Sequence, residues 1–335
     1  MSSKKIMAIV GATGTQGGSV ARTFLNLPDW HVRALTRRST SPKAAALKML
    51  GAEVVEAHLG NVESLAKAFE GVHAIFVNTD FWATYLGALA DGKPQPESQK
   101  LGFDTEISHA RNAALAAQKI PTLEKYIYSA LGPMNQVSKG KYSHSYHWET
   151  KAAAVKLIET EMPELSKKTS FIYVGVYATN AFLYPKKNAD GEYEMLLPSS
   201  KEMKLPILDT EKSTGPFVQA LVEEEPAGTK LLAYDSDLTV PAILDIWNKV
   251  TGKGAKFEQL TEDEMHHRTG LPFEVLDGAA YLNEHHYTEG IEGVITPEQL
   301  KKPVKTASYE EYIASQHLDH LLSFTYKLPD PPARK

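Results

Sequence analysis

The sequence predicts an α/β protein in which a doubly wound parallel sheet carries a smaller C-terminal α+β lobe. Three observations support this fold class. A short apolar run near the amino terminus leads into three glycines spaced three apart. Strand-like and helix-like segments then alternate up to about residue 180, which is typical of a parallel sheet with helices on both faces. Beyond that residue the alternation stops, and short pieces interrupted by prolines follow.

Composition narrows the class of function. The chain has 335 residues, of which 42% are hydrophobic, a net charge of −5 and no cysteine. This is enough to bury a sizeable core, whereas the charge and the dispersed Lys and Arg argue against a nucleic-acid surface. Disulfides and thiolate zinc sites are excluded, and the apolar run at residues 6–10 is too short for a signal or membrane segment. We therefore expect a cytoplasmic protein with a small-molecule substrate and no nucleic-acid or membrane partner.

The first strand and helix meet at the glycine-rich turn. Residues 6–10 predict a buried strand and residues 16–25 a helix, so the glycines occupy the corner between them. Gly11 allows the tight turn, Gly14 lets the backbone approach a pyrophosphate, and Gly17 lets the helix pack closely on the strand. The free N–H groups at the helix start favour an anion. A glycine-rich turn that binds nothing is the alternative, which the flanking strand and helix disfavour. This Rossmann-type pattern predicts cofactor contacts from Gly11, Thr13, Gly14, Thr15, Gln16 and Gly17.

The second predicted strand, residues 31–36, is followed by two arginines that bear on the choice of cofactor. An NAD site of this kind has an acidic residue at that strand end to accept the ribose 2′-OH, whereas a 2′-phosphate needs cations. Arg37 and Arg38 supply them, and Lys43 is a further candidate. The alternative is a solvated charge cluster that opens the next helix. The sequence therefore favours NADP over NAD.

The alternation continues through the third, fourth and fifth strands. The pattern predicts helices over residues 42–50, 62–69 and 104–118, strands over 53–57, 74–78 and 125–128, and an exposed loop over 91–96. Ligands in such a fold bind beyond the carboxyl ends of the strands, so Asn78 and Thr79 are predicted to contact the cofactor. Phe81 and Trp82 follow them, either beside the ribose or nicotinamide or as packing residues.

Residues around the fifth strand carry a resemblance to a known family. Tyr128-Ser129-Ala130-Leu131 lies at a strand end and is followed by a loop and His147-Trp148-Glu149-Thr150-Lys151. Together with the glycine-rich segment 11–22, this arrangement resembles the NmrA-like family of atypical short-chain dehydrogenases/reductases, from residue 5 to about residue 320. The glycine-rich segment is most similar to the branch that contains the human NADP(H)-sensing redox protein and many fungal oxidoreductases.

The resemblance implies a site in which a Tyr four positions before a Lys donates a proton, with a Ser nearby. Lys151 and Ser129 are present, but His147 occupies the Tyr position. Tyr146 is one position away, and a shift of one residue turns a helical side chain by about 100°. The resemblance implies that Lys151 binds the nicotinamide ribose. The sequence leaves open whether His147 or Tyr146 donates the proton, or whether the substrate, such as an iminium, needs none. A further alternative is that His147 is a surface histidine with no catalytic role.

The sixth predicted strand, residues 170–174, ends again at the cofactor edge of the sheet. By resemblance Gly175, Val176 and Tyr177 face the nicotinamide, and Asn180 begins the substrate side. We predict a Rossmann domain over residues 1–180, a smaller lobe interleaved with the sheet over 181–325, and a tail over 326–335. In the lobe, helices are predicted near 215–222 and 240–250, a strand at 230–234, and irregular structure at 196–198 and 205–207.

Three histidine groups invite a metal interpretation, namely His144 with His147, His266 with His267, and His285 with His286. Neighbouring side chains on a helix diverge, so we expect no metal site.

The sequence predicts an NADP(H)-dependent oxidoreductase that acts on a small organic carbonyl or imine substrate, in a biosynthetic pathway of the fungal type. The alternative is a non-catalytic NADP(H) sensor that regulates a protein partner or a homodimer equilibrium, and a scaffold with a vestigial pocket is a third interpretation.

Overall fold

The computed structural model describes residues 4–326 and 328. The strands are β1 Lys5–Val10, β2 Trp30–Thr36, β3 Glu53–Glu56, β4 Ala74–Val77, β5 Lys125–Ala130, β6 Thr169–Val174, β7 Val176–Tyr177, β8 Lys186–Lys187, β9 Tyr193–Leu197, β10 Lys204–Leu208, β11 Lys230–Ala233, β12 Ser236–Thr239, β13 Lys256–Gln259 and β14 Val294–Ile295. The helices are α1 Thr15–Leu25, α2 Pro42–Met49, α3 Val62–Ala68, α4 Trp82–Ala90, α5 Gln95–Ala117, α6 Met134–Val137, α7 Tyr146–Glu161, α8 Pro163–Ser166, α9 Thr210–Glu223, α10 Val240–Thr251, α11 Glu262–Thr269, α12 Phe273–Glu284, α13 Tyr309–Ala314 and α14 Leu318–Leu321. Short 3₁₀ turns cover Ala181–Leu183 and Pro297–Gln299.

A parallel sheet of 8 strands organises the described part of the chain, in the order β14-β11-β6-β5-β4-β1-β2-β3. The strand order reverses between β1 and β4, because the chain first runs outward through β2 and β3 and then returns. Such a switch point leaves a crevice beyond the carboxyl ends of the strands, where ligands bind in this class of sheet. The predicted doubly wound α/β fold is confirmed.

Both faces of the sheet are buried, which explains why its strands are apolar runs rather than alternating ones. In β1, Ala8 and Val10 pack on one face in a core formed with α3, α5 and α7. Met7 and Ile9 pack on the opposite face in a core formed with α1 and α9. The two helix layers therefore hold the glycine-rich turn between β1 and α1 in a fixed place at the sheet edge.

The main departure from the predicted elements lies between β4 and β5. Helix α4 was not predicted, and α5 begins at Gln95 rather than at residue 104. The loop predicted over 91–96 is exposed, but its last two residues already belong to α5. Backbone N–H groups in the first turn of a helix have no partner within the helix, so a proline there costs no hydrogen bond. Pro96 therefore lies in the first turn of α5 and does not interrupt the helix.

Residues after 180 form most of two small sheets, one of which also contains β7, and they contribute to the large sheet as well. The small sheets have the orders β12-β10-β7 and β13-β9-β8, so the segments predicted as irregular at 196–198 and 205–207 lie largely in strands β9 and β10. Strands β11 and β14 extend the large sheet. Of the predicted tail, Tyr326 accepts a hydrogen bond from the Leu196 backbone, and residues 327 and 329–335 lie outside the described residues. No helix in the described part of the chain is long and apolar enough to cross a membrane.

Candidate active site

A cavity of about 1270 Å³ opens at the switch point of the sheet. It runs from the glycine-rich turn, past the ends of β4, β5 and β6, to helix α12 and residues 323–326 and 328 of the C-terminal lobe. Pockets that hold one drug-sized ligand are typically about 300–1,000 Å³. The cavity is therefore large enough for a dinucleotide together with a second molecule.

The glycine-rich turn has the geometry that a dinucleotide needs. Gly11 has a φ of 75°, which favours glycine, and its carbonyl accepts a hydrogen bond from the Gly14 N–H at 2.9 Å. A Cβ on Gly14 would lie 3.2 Å from the Gly11 carbonyl oxygen, so glycine keeps this part of the cavity wall open. Gln16 Oε1 is buried without a hydrogen-bond partner among the described residues. These features fit a polar ligand at the start of α1.

Of the residues predicted to contact the cofactor at this turn, Gly11, Thr13, Gly14 and Gln16 line the cavity. Thr15 is the first residue of α1, and neither Thr15 nor Gly17 is among the lining residues. Gly17 serves packing instead, because a Cβ there would lie 2.3 Å from the Gly11 carbonyl oxygen. This is the close approach of helix and strand that the sequence predicted for it.

We expect Gly17→Ala to weaken NADPH binding at least tenfold and to lower the midpoint of thermal unfolding. The added methyl group would collide with the Gly11 backbone, which cannot move without opening the turn. Gly18→Ala is the matched control, because its Cβ would meet only the mobile end of Arg22 at 3.3 Å and the Ala12 carbonyl oxygen at 3.5 Å. Titration calorimetry and thermal melts of both variants check this. Equal affinity in the wild type and Gly17→Ala would contradict a dinucleotide at this turn.

Arg37 and Arg38 separate in the structure. Arg37 is exposed and lines the cavity, so its charge is available to a ligand. Arg38 is exposed and is not among the lining residues. His109 of α5 also lines the cavity, and burial lowers the pKa of its imidazole, an effect that Arg37 reinforces and Glu106 opposes. The cationic contribution to this end of the cavity therefore comes from Arg37.

Lys151 is held by a buried carboxylate that the sequence did not single out. Its Nζ lies 3.1 Å from Oε1 of Glu106 on α5, and Glu106 is fully buried. The same carboxylate accepts hydrogen bonds from the hydroxyl groups of Thr79, at 2.6 Å, and Thr150. Lys151 also donates to Asn78 Oδ1 at 3.3 Å and to the Thr79 carbonyl at 3.2 Å. Lys151, Asn78 and Thr79 thus contact one another at the cavity wall. All three were predicted from the sequence as cofactor-binding residues.

His147 faces the same cavity from the first turn of α7. Its Nδ1 lies 2.6 Å from Oε1 of the buried Glu274, and its ring centroid is 4.8 Å from that of Trp82. Ser129, at the end of β5, is buried and also lines the cavity. Tyr146 is not among the lining residues, and its ring packs instead against Phe103 at 6.2 Å. His147, Lys151 and Ser129 therefore all line the cavity, whereas Tyr146 does not.

The segment after β6 completes the wall between the two halves of the cavity. Gly175, Val176, Tyr177 and Asn180 all line the cavity. The Tyr177 hydroxyl accepts a hydrogen bond from Gln16 Nε2 at 2.6 Å, which links this segment to the glycine-rich turn. Close packing also requires glycine at position 175, because a Cβ there would lie 2.3 Å from the Pro206 carbonyl oxygen in β10.

The far half of the cavity is lined mainly by apolar and aromatic side chains. They come from α4, from α12 and the turn that follows it, and from the last described residues, and they include Trp82, Val275, Leu282, Tyr287, Phe324 and Leu328. Phe81 also lines the cavity, and it is buried and stacks on Tyr85 with ring centroids 5.2 Å apart. Within the described part of the chain, no three His, Cys, Asp or Glu side chains are arranged to hold a metal ion.

Two residues at the site were missed from the sequence, Glu106 and Glu274. For Glu106 a signal existed, because it shares one face of α5 with the buried Ala110, Ala113 and Ala117, and an acidic residue in an apolar stripe is unusual. Glu274 gives a weaker signal. It stands in the first turn of α12, where acidic residues are common, and its contact with His147 spans 127 residues of sequence.

Comparison with known proteins places this geometry in a family. The model of the NmrA-like family matches residues 3–313. The NmrA-like family domain-containing oxidoreductase cpsB of Aspergillus campestris is 27% identical over 284 residues, which cover 78% of this chain and 78% of that protein. The corresponding oxidoreductase FrzB of Cladobotryum is 49% identical over 73 residues, which cover 22% of each chain.

Solved structures agree in fold. NmrA, a negative transcriptional regulator crystallised with NADP, has a TM-score of 0.67 and 21% identity, and the match covers 94% of this chain and 95% of NmrA. The leucoanthocyanidin reductase of Vitis vinifera in its binary complex with NADPH has a TM-score of 0.67 and 15% identity, covering 94% of this chain and 99% of that one. The resemblance predicted from the sequence is confirmed, and the chain belongs to the NmrA-like family.

Proposed function

We propose that this protein is an NADP(H)-dependent oxidoreductase that transfers a hydride between the nicotinamide and a small organic carbonyl or imine substrate. The observation that carries the proposal is the continuity of one cavity. It joins the glycine-rich turn and Arg37 at one end to Lys151 and His147 in the middle and an apolar, aromatic chamber at the other end. A protein that only held the cofactor would not need the chamber. The curated relatives named as oxidoreductases support this interpretation.

The chain's own residues divide the work of such a site. The start of α1 would hold the pyrophosphate, Arg37 the 2′-phosphate, and Lys151 the hydroxyl groups of the nicotinamide ribose. Gly175, Val176 and Tyr177 would border the nicotinamide, with Asn180 at the substrate side. Bound NADPH would supply the hydride to the carbonyl or imine carbon. His147 would give a proton to the substrate oxygen or nitrogen, and the Ser129 hydroxyl would hydrogen-bond the same atom.

Cofactor choice tests the first half of the proposal. We expect NADPH to bind at least tenfold tighter than NADH, roughly 1.4 kcal/mol or more, because Arg37 makes charge-assisted hydrogen bonds to the 2′-phosphate. Arg37→Ala should remove most of that preference, as measured by titration of both cofactors. Arg38→Ala is the control, since Arg38 does not line the cavity, and it should keep the preference. Equal affinities for the two cofactors in the wild type would refute the assignment.

A screen for NADPH oxidation with carbonyl and imine compounds tests the second half of the proposal, which is hydride transfer to a substrate.

One specific observation favours a second candidate function, a non-catalytic NADP(H) sensor. NmrA, which shares the fold, is described as a negative transcriptional regulator and has been crystallised with NADP. In a sensor, cofactor binding would shift a conformational or oligomeric equilibrium that a protein partner reads. Turnover of any compound in the screen favours the enzyme.

A further inference from the structure

The carboxylate of Glu274 joins helix α12 to the first turn of α7. Its Oε1 accepts hydrogen bonds from the backbone N–H of His147 at 2.9 Å and from His147 Nδ1 at 2.6 Å. Its Oε2 accepts from the backbone N–H of Tyr146 at 3.2 Å and from Gln99 Nε2 at 2.9 Å. The side chain is fully buried. Glu274 thus supplies the cap of α7 that Ser145, its N-cap residue, does not provide with its own side chain.

Hydrogen-bond donors and the amino-terminal ends of two helices surround Glu274. It lies in the first turn of α12 and at the first turn of α7, so the positive ends of two helix dipoles meet at one carboxylate. Three of its four hydrogen bonds come from N–H groups, those of the Tyr146 and His147 backbone and the Gln99 amide, so both carboxylate oxygens already act as acceptors. In the described residues no lysine or arginine forms a salt bridge with Glu274, and the ion-pair partner that remains is His147.

This contact determines what the His147 ring presents to the cavity. An ionised carboxylate only accepts hydrogen bonds, so Nδ1 carries the proton that points at Glu274. Nε2 is then the ring nitrogen left for a ligand in the cavity that His147 lines. Without a negative partner, a cationic imidazole in the first turn of α7 would be disfavoured by the helix dipole. Glu274 removes that penalty.

We propose that Glu274 is the positioning residue of the proton donor: it holds His147 in the Nδ1–H form and stabilises the imidazolium from which Nε2 delivers a proton to the substrate. This inference rests on the proposed oxidoreductase function. In reduction, hydride adds to the carbonyl or imine carbon, the π electron pair moves to the oxygen or nitrogen, and that atom takes the proton from Nε2. His147 is left neutral and regains its proton from water. Because Val275, Gly278 and Leu282 of α12 line the far half of the cavity, the same helix borders the substrate and holds the donor.

The chain contains a matched control one helical turn further along α12. Asp277 is also a buried carboxylate, and it also holds the segment that precedes α7. It accepts from the His144 backbone N–H at 2.7 Å and lies 3.2 Å from His144 Nδ1. It makes no contact with His147 in the described structure. Asp277→Asn therefore removes a comparable buried charge without touching the ring of His147.

The experiment compares Glu274→Gln, Asp277→Asn and the wild type by ¹⁵N NMR of the histidine side chains, by NADPH affinity and by kcat. In the wild type, neutral His147 should show the Nδ1–H signature. Glu274→Gln keeps an acceptor oxygen but loses the charge. It should lower the fraction of His147 in the Nδ1–H form and lower kcat roughly tenfold or more, with NADPH affinity nearly unchanged. Asp277→Asn should leave the His147 signals and kcat as in the wild type.

Two results would overturn the inference. One is wild-type His147 in the Nε2–H form when neutral, which needs no variant and is informative even if Glu274→Gln fails to fold. The other is equal loss of kcat in Glu274→Gln and Asp277→Asn with unchanged His147 signals, which would mean general packing. If the wild type turns over no substrate, the proposed function fails, while the NMR measurement still decides whether Glu274 controls His147.

Discussion

Replacing Lys151 by alanine is expected to lower the free energy of unfolding by about 3–5 kcal/mol and to weaken NADPH binding. The first effect follows from Glu106, which is fully buried and would lose the cation that lies 3.1 Å from it. Removal of one partner of a buried ion pair leaves an uncompensated charge. The second effect follows from the loss of the cationic donor to the ribose, while the glycine-rich turn still holds the pyrophosphate. Denaturant unfolding and cofactor titration measure the two effects separately.

The double variant Lys151→Ala with Glu106→Gln separates stability from function. It removes both charges, so most of the lost free energy of unfolding should return, while NADPH affinity should stay low. At position 106 the amide oxygen would accept from one of the hydroxyl groups of Thr79 and Thr150, and the amide NH2 would donate to the other. If Lys151→Ala proved as stable as the wild type, the contact between Lys151 and the buried Glu106 could not be an ion pair that stabilises the fold.

His147→Phe should lower substrate turnover by roughly 10²-fold or more and leave NADPH affinity nearly unchanged. The phenyl ring keeps the contact with Trp82 but has no proton to give, and Glu274 keeps its hydrogen bonds from two backbone N–H groups and Gln99. Steady-state kinetics and cofactor titration of the purified variant provide the two measurements.

Tyr146→Phe is the control for this variant. Tyr146 packs against Phe103 and does not line the cavity, so the loss of its hydroxyl should have little effect on turnover. Loss of turnover in Tyr146→Phe but not in His147→Phe would move the donor by one position. Loss in neither would indicate a substrate, such as an iminium, that needs no proton from the protein.

The sheet was predictable because local patterns and tertiary structure agree there. The strand before Gly11 is apolar throughout, as a strand buried on both faces must be, and the glycine spacing marks the corner with α1. Helix α4 was missed because Trp82 to Ala90 is apolar on most sides and its N-cap residue is Phe81, so periodicity does not identify it; the side chain that caps its start belongs to Asp80, one residue earlier. The strands of the C-terminal lobe are short and contain or adjoin prolines, which conceals them.

The residues of the candidate site that belong to short sequence motifs were predictable. Gly11, Gly14 and Lys151 belong to local motifs, and all three reach the cavity. The two buried carboxylates of Glu106 and Glu274 were not predictable in this way, because their contacts join segments that are distant in sequence. Such a pairing depends on how α5 and α12 pack against α7, which no local pattern encodes. Arg37 and Arg38 are adjacent in sequence, but only the fold distinguishes the one that faces the cavity.

The most direct measurement follows hydride itself. NADPH carrying deuterium at C4 of the nicotinamide is incubated with the protein and a panel of carbonyl and imine compounds, and the products are examined by mass spectrometry. We expect deuterium at the former carbonyl or imine carbon of a reduced product, formed by the wild type and at a much lower rate by His147→Phe. If no compound takes up deuterium while NADPH still changes the oligomeric state or partner binding of the protein, hydride transfer is contradicted and the sensor interpretation replaces it.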